Sequence, residues 1–286
     1  QRRSSRRRKC LDQAGNPRVS VIMAALNAES TIDAALESLL SQSYSNLEII
    51  VVDDGSDDAT RDIVREKTAD DERVFLLEGG PQEGAAIARN RGLKHSTGRY
   101  LTFQDSDDIS HPERIERQLA TLLTTRAHVV VCNARRETPE GQRVVLNGYR
   151  FTRNFVSMLF PRDPVFERIG YMRPLVVGED AEYYQRLLTV FSDRSERHLF
   201  QTLYRARFRS DSLLYSHGST VVGAQGEVVY EQAPEHREAL QRALHDLDDI
   251  RSGHRRAYIP FTAETAGIEG KKRSSGIGAA EPQESP

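Results

Sequence analysis

Apolar and polar positions along this chain switch repeatedly between two periods. Val19-Ser20-Val21-Ile22-Met23 and the unbroken run Leu47 to Val52 (LEIIVV) read as strands, the second covered on both faces. Between them, Ser30 to Gln42 reads as a helix: Ile32, Leu36, Leu39 and Leu40 share one face, Ser30 can cap it, and Asp33 follows three positions on. The alternation continues with a helix over 59–68 carrying Ile63 and Val64 inward, a strand over 74–77 and a helix over 85–95 ended near Gly98. A strand over 100–104, a helix over 112–123 and a strand over 128–133 complete the series. Strands separated by such helices predict right-handed crossovers and a mostly parallel central sheet flanked by helices, an α/β fold.

From Glu137 to Val177 the pattern is less regular. A helical stripe then returns with Tyr183, Tyr184 and Leu187, and Glu231 to Arg251 reads as an amphipathic helix with Leu240, Leu244, Leu247 and Ile250 inward. That helix either packs on the core or meets a second copy in a homodimer. The expected division is a basic tail over 1–17, one domain over 18–230 with halves 18–135 and 136–230, a C-terminal helix over 231–261, and a flexible Gly/Ser/Ala/Glu/Pro-rich tail over 262–286.

Composition narrows the function classes. With 286 residues the chain can bury a full core, and a net charge of −2 gives no electrostatic case for nucleic acid. No apolar run approaches the roughly 20 residues that span a bilayer, and no secretory leader precedes the first strand. The chain opens on Gln rather than Met, as expected of a processed piece. Cys10 and Cys132 match no zinc or redox spacing; Cys132, in an apolar run, reads as a reduced core residue and fits a cytoplasmic setting. Arg2, Arg3, Arg6, Arg7, Arg8 and Lys9 crowd the first nine residues. They read as a solvated tail, or as a peripheral contact with anionic head groups at the inner membrane face worth about 1 kcal/mol per basic residue.

In parallel sheets, ligands bind outside the carboxyl ends of the strands. Three tips should therefore meet: Ala24-Ala25-Leu26-Asn27, Asp53-Asp54-Gly55-Ser56 and Asp105-Ser106-Asp107-Asp108. Carboxylates this crowded at the end of a buried strand repel one another unless a cation lies between them. A divalent metal carrying a phosphorylated ligand is the simplest such cation; the alternative is an acidic turn capping the helix that starts at His111-Pro112-Glu113. Asp53 or Asp54 could accept hydrogen bonds from a base or a ribose, or simply close an Asx turn. Gly79 to Gly84 lacks the Gly-Lys-Ser/Thr ending of a P-loop, and the first strand–helix turn lacks Gly-x-Gly-x-x-Gly. P-loop nucleotidases and nicotinamide enzymes are thus disfavoured.

The segments VSVIMAALNAESTIDAALESLLSQSYSNLEIIVVDDGSDDAT and GAAIARNRGLKHSTGRYLTFQDSDD resemble the nucleotide-binding half of a family 2 glycosyltransferase with the Rossmann-like GT-A fold. The resemblance covers residues 18–117 and makes 18–135 the nucleotide-sugar half and 136–230 the more irregular acceptor half. It implies that Asp53 and Asp54 hold the base, with Asp54 the usual contact, and that Ala24, Ala25 and Asn27 line the same pocket. It further implies that Asp105, Ser106 and Asp107 bind the sugar nucleotide through Mn²⁺ or Mg²⁺, with Asp105 and Asp107 as metal ligands. Arg89 and Asn90, within Ala88-Arg89-Asn90-Arg91-Gly92, would face the donor, although Arg89 alone also reads as a helix-surface ion pair. Asp180, in Gly178-Glu179-Asp180-Ala181-Glu182, falls at the position of the catalytic base, with Glu179 next in line; acidic residues there also suit a helix N-terminus. Arg186 would bind a phosphate or steady the loop. Arg207 stands where many members have a histidine, leaving His217 as a further metal-ligand candidate, and Arg205, Arg207 and Arg209 would share one strand face. The implied activity is metal-dependent, inverting transfer of a sugar from a nucleotide-diphosphate donor, UDP foremost, to a glycan or lipid-linked acceptor during bacterial surface polysaccharide synthesis. The alternatives are a sugar-phosphate nucleotidyltransferase, disfavoured by the glycine-free first tip, and a non-catalytic nucleotide- or glycan-binding relative.

Overall fold

A computed structural model describes residues 2–125, 127–208, 218–222 and 227–262. Its first half runs α1 (Arg2–Gln13), β1 (Val19–Ala25), α2 (Ile32–Leu40), β2 (Leu47–Asp53), α3 (Thr60–Asp70), β3 (Val74–Glu78), α4 (Ala85–His95), β4 (Tyr100–Phe103), β5 (Ile109–Ser110), α5 (Arg114–Thr124) and β6 (Val129–Glu137). The second half runs β7 (Arg143–Leu146), β8 (Thr152–Pro161), α6 (Arg162–Ile169), α7 (Glu179–Phe191), a 3₁₀ turn at Asp193–Ser195, β9 (Glu196–Arg207), β10 (Gly218–Val222), β11 (Glu227–Gln232) and α8 (Pro234–Arg251).

The central sheet has the order β10-β11-β7-β6-β8-β4-β1-β2-β3, with β9 paired to β5 and β6. Strands β3, β2, β1 and β4 are parallel. The register Val19↔Leu47 and Val19↔Tyr100 brings the carboxyl ends of β1, β2 and β4 to one rim. Strict alternation builds two cores, one on each face. Val19, Val21 and Met23 of β1 and Ile49 and Val51 of β2 pack with Ile32, Leu36 and Leu39 of α2 and Ile115 and Leu119 of α5. On the opposite face Ile22 joins Leu93 of α4, Val165 of α6 and Tyr183 and Leu187 of α7. Helix α4 lies very close to β1: a Cβ on Gly92 would stand 2.5 Å from the Ile22 side chain.

Three features depart from the sequence pattern. Residues 2–13 form a helix instead of a solvated tail; Arg7 ion-pairs with Glu113 and Glu116 at 3.0 and 2.9 Å, and Leu11 is buried in the core. These partners discharge part of the basic run and anchor its last turns. The irregular stretch contains a ten-residue strand, β8, inserted antiparallel between β4 and β6, so β6 is not the next parallel neighbour of β4. Helix α2 starts at Ile32 with Thr31, not Ser30, in the cap position. The C-terminal helix α8 packs on α7, with Ala243 and Leu247 buried. No described helix is long and apolar enough to cross a membrane.

Candidate active site

The first two strand tips are joined by hydrogen bonds. Backbone Asp54 donates to the Ala25 carbonyl at 2.8 Å, extending the β1–β2 ladder past its end. Asn27 has φ 47°, which its short side chain tolerates, and its N–H donates to the Ser56 hydroxyl at 3.0 Å while its Oδ1 accepts from Asp57 N–H. Asp53, fully buried, accepts the N–H groups of Gly55 and Ser56, closing an Asx-type turn. Asp54 instead reaches outward to the loop before α4 and accepts Glu83 N–H at 3.0 Å and Gly84 N–H at 2.8 Å. Burial raises the Asp54 pKa above the usual carboxylate range even though these two bonds and Arg91 oppose it. Gly55 has φ 92°, and a Cβ there would lie 2.9 Å from Gln82 N and Gly80 O. Only glycine lets the loop press onto the turn.

The third tip is held from beneath. Asp105 N–H donates to the Tyr204 hydroxyl at 3.0 Å, and the same hydroxyl hydrogen-bonds with the Asp108 carboxylate. Asp108 also accepts Arg207 N–H at 2.8 Å. Fully buried Arg114 donates to Thr102 and Gln104 and lies 5.6 Å from the Tyr204 ring centre. Burial, then the neighbouring charges of Asp107 and Asp105, push the Asp108 pKa well up. The backbone of β4's tip is therefore fixed while Asp105, Ser106 and Asp107 remain partly open to solvent.

The decisive contact crosses between the two halves. Arg89, on α4 and 5% exposed, donates one Nη to Asp105 at 2.6 Å and the other to Glu179 in the first turn of α7. Asp180 lies close enough to feel both Arg89 and Asp105: burial raises its pKa, Arg89 opposes that, and Asp105 adds to it. Asp180 Oδ1 also accepts Ala181 N–H at 2.8 Å. Three carboxylates from β4's tip and α7 thus face one guanidinium, whose own pKa is raised by them against the effect of burial.

Among the described residues, no three His, Cys, Asp or Glu side chains are grouped to hold a metal ion on their own. Asp105 and Asp107 offer hard oxygen donors at a partly open tip. That set suits a Mg²⁺- or Mn²⁺-like ion completed by substrate phosphates, and not a closed protein cage.

Residues 20–176 match the family described as Glycosyl transferase family 2. The chain belongs to that family. It is 46% identical over 105 residues to the UDP-Glc:alpha-D-GlcNAc-diphosphoundecaprenol beta-1,3-glucosyltransferase WfgD of Escherichia coli, covering 37% of this chain and 41% of that protein. Against the putative glycosyltransferase EpsE of Bacillus subtilis (strain 168) it is 42% identical over 116 residues, or 40% of this chain and 42% of the relative. The chain thus spans about two-fifths of the length of these relatives. S. aureus TarS 1-349, solved in complex with UDP-GlcNAc, superposes with a TM-score of 0.58 at 21% identity, over 71% of this chain and 62% of that one. The mannosyltransferase PcManGT from Pyrobaculum calidifontis, solved with GDP-Man and Mn²⁺, gives 0.52 at 20% identity over 67% and 56%. At these identities the likeness establishes the fold, which is GT-A.

Several side chains singled out from the sequence take the following places in the fold. Asn90 does not face the rim: it is fully buried, and its amide clasps both the N–H and the carbonyl of Met172, at 2.8 and 3.0 Å. Its place one residue after Arg89 turns it into the core side of α4. Arg186 steadies the loop: it is buried, pairs with Glu182 at 2.9 Å, and donates to the carbonyls of Ile169, Tyr171 and Ala257. Arg89 is a buried ion pair, not a surface one. Arg205 on β9 is exposed and lies 3.8 Å from Glu137, while Arg209 and His217 fall outside the described residues. Tyr204, Asp108 and Arg114 were not singled out as site residues from sequence, although Asp108 belongs to the acidic run itself.

Proposed function

We propose that this glycosyltransferase transfers a sugar from a UDP-sugar, held through Mn²⁺ or Mg²⁺ at Asp105 and Asp107, to an acceptor hydroxyl with inversion. The observation that carries this reading is the double ion pair of Arg89 with Asp105 and Glu179, which draws the acidic tip and the first turn of α7 to one guanidinium. In the proposed site Ala24, Ala25, Asn27, Asp53 and Asp54 form the base pocket, with Asp54 as the base contact. The cation, when bound, offsets the charge that builds on the leaving diphosphate. Asp180 takes the proton from the acceptor hydroxyl, and Glu179 orients Arg89 beside it. The pKa of Asp180, raised by burial, strengthens it as a general base. A single base with no carboxylate nucleophile corresponds to direct displacement.

The UDP assignment is supported by the name of the WfgD relative and by the TarS complex; the Mn²⁺ assignment is supported by the PcManGT complex. By the same analogy the acceptor is a glycan or lipid-linked sugar in surface polysaccharide synthesis, with a cytoplasmic setting at the inner membrane face. Exposed Arg6, Arg8 and Lys9 on α1 suit anionic head groups there. Calorimetric titration of UDP tests the donor reading: binding in Mn²⁺ that disappears in EDTA and in Asp107→Ala supports it, and equal binding in all three conditions refutes it.

A further inference from the structure

Arg89 has an unusual position for a residue at a cation site. Its side chain is buried, its charge is permanent, and it already satisfies the carboxylate that the cation is expected to need. One Nη is committed to Asp105 and the other to Glu179, Asp180 adds its field, and the Nε is buried with no hydrogen-bond partner. The guanidinium also lies 6.0 Å from the Phe103 ring centre, so the β4 strand end forms part of its wall. A divalent ion on Asp105 would sit beside this fixed positive charge. Bare cation binding must then displace the Arg89–Asp105 pair and bear the like-charge repulsion. A nucleotide diphosphate changes that balance, because its phosphates supply negative charge to both the ion and the guanidinium.

We propose that Arg89 is a built-in counter-ion that makes cation binding at Asp105 contingent on the donor's diphosphate. This rests on the reading of Asp105 and Asp107 as the cation-holding pair. Glu179 sets the strength of the device. By holding one arm of the guanidinium it keeps Arg89 from settling wholly on Asp105. The two residues are therefore positioning groups with opposite effects. Removing the Arg89 charge leaves Asp105, Glu179 and Asp180 uncompensated and should tighten bare Mn²⁺. Removing the Glu179 charge releases Arg89 onto Asp105 and should weaken it. Linkage requires the cooperativity between Mn²⁺ and UDP to fall when Arg89 loses its charge.

The test is electron paramagnetic resonance of free Mn²⁺ titrated with nucleotide-free protein, repeated with UDP, with circular dichroism to confirm folding. Arg89→Met is expected to bind bare Mn²⁺ about tenfold tighter than wild type, and Glu179→Gln severalfold weaker. Asp107→Ala is the control for the site and is expected to lose Mn²⁺ binding with UDP present. Loss in Asp107→Ala together with unchanged affinity in both Arg89→Met and Glu179→Gln overturns the counter-ion proposal alone. Retained binding in Asp107→Ala overturns the cation reading beneath it. Should Arg89→Met fail to fold, the Glu179→Gln shift decides: weaker binding supports the proposal, and equal or tighter binding overturns it. A simple structural role for either residue would not move bare-cation affinity in opposite directions.

Discussion

The N–H of Gly84 donates to the Asp54 carboxylate at 2.8 Å, so the turn after β2 and the first turn of α4 are one unit. Gly84 is the residue that opens α4, and the same helix carries Arg89 five positions later. A change at Asp54 should therefore be felt both by a nucleotide and by the fold. Asp54→Ala is expected to weaken UDP binding and to cost about 1–3 kcal/mol of stability, because two backbone donors lose their acceptor. Denaturant unfolding alongside calorimetry checks this, and unchanged values for both would show that the loop does not depend on Asp54.

Gly55 supplies a separate probe of the same unit. Gly55→Ala places a methyl 2.9 Å from Gln82 N and Gly80 O at a residue with φ 92°. Backbone strain of about 1–3 kcal/mol is expected, together with reduced UDP affinity. A crystal structure showing the 79–84 loop unmoved and full nucleotide affinity would rule out that close approach.

Asp180→Asn is expected to retain donor binding while lowering transfer by about 10²–10⁴-fold. Because burial raises the Asp180 pKa, with Asp105 adding and Arg89 opposing, transfer should fall as pH drops through a value above the ordinary Asp range. Removing Arg89 should move that acid limb to still higher pH. The stability sign is the reverse: a carboxylate whose folded pKa is raised stabilises the fold below its unfolded value, and that contribution is lost as pH rises through the folded pKa. Wild-type and Arg89→Met pH–rate profiles with superimposable acid limbs would remove Asp180 from the role.

Arg186 tests the frame behind the site. It pairs with Glu182, which also accepts Arg173 at 3.0 Å, and it ties the carbonyls of Ile169, Tyr171 and Ala257 to α7. Arg186→Met leaves these acceptors and a buried carboxylate short of donors, at a cost of about 3–5 kcal/mol. Chemical denaturation measures it directly. A loss of nucleotide affinity without a stability change would instead return Arg186 to a phosphate-binding role.

The first half of the fold was legible because its elements are written in local period. The alternation of Val19, Val21 and Met23 with Ile22 on the other face and the run LEIIVV place strands, and Ile32, Leu36 and Leu39 place the helix against them. The strand tips then follow from parallel topology. What was missed depends on distant partners. Six basic residues in nine look like a solvated tail until Glu113 and Glu116, over a hundred residues away, are seen to receive Arg7. Strand β8 carries no crossover helix before it, so its insertion between β4 and β6 has no local signal. Asn90 reads as ligand-facing from motif alone, and Arg186 reads either as a phosphate ligand or as a residue that steadies the loop. Asn90 clasps the backbone of Met172, and Arg186, besides its i,i+4 pair with Glu182, ties the backbone of Ile169 and Tyr171, more distant partners that no spacing rule predicts.

The most direct measurement is release of nucleoside diphosphate from a panel of nucleotide sugars by purified protein with Mn²⁺. At least one UDP-sugar should be turned over by wild type, with turnover abolished by EDTA, by Asp107→Ala and by Asp180→Asn, the last still binding the donor. Metal-independent turnover, or full turnover in both aspartate variants, would contradict the account.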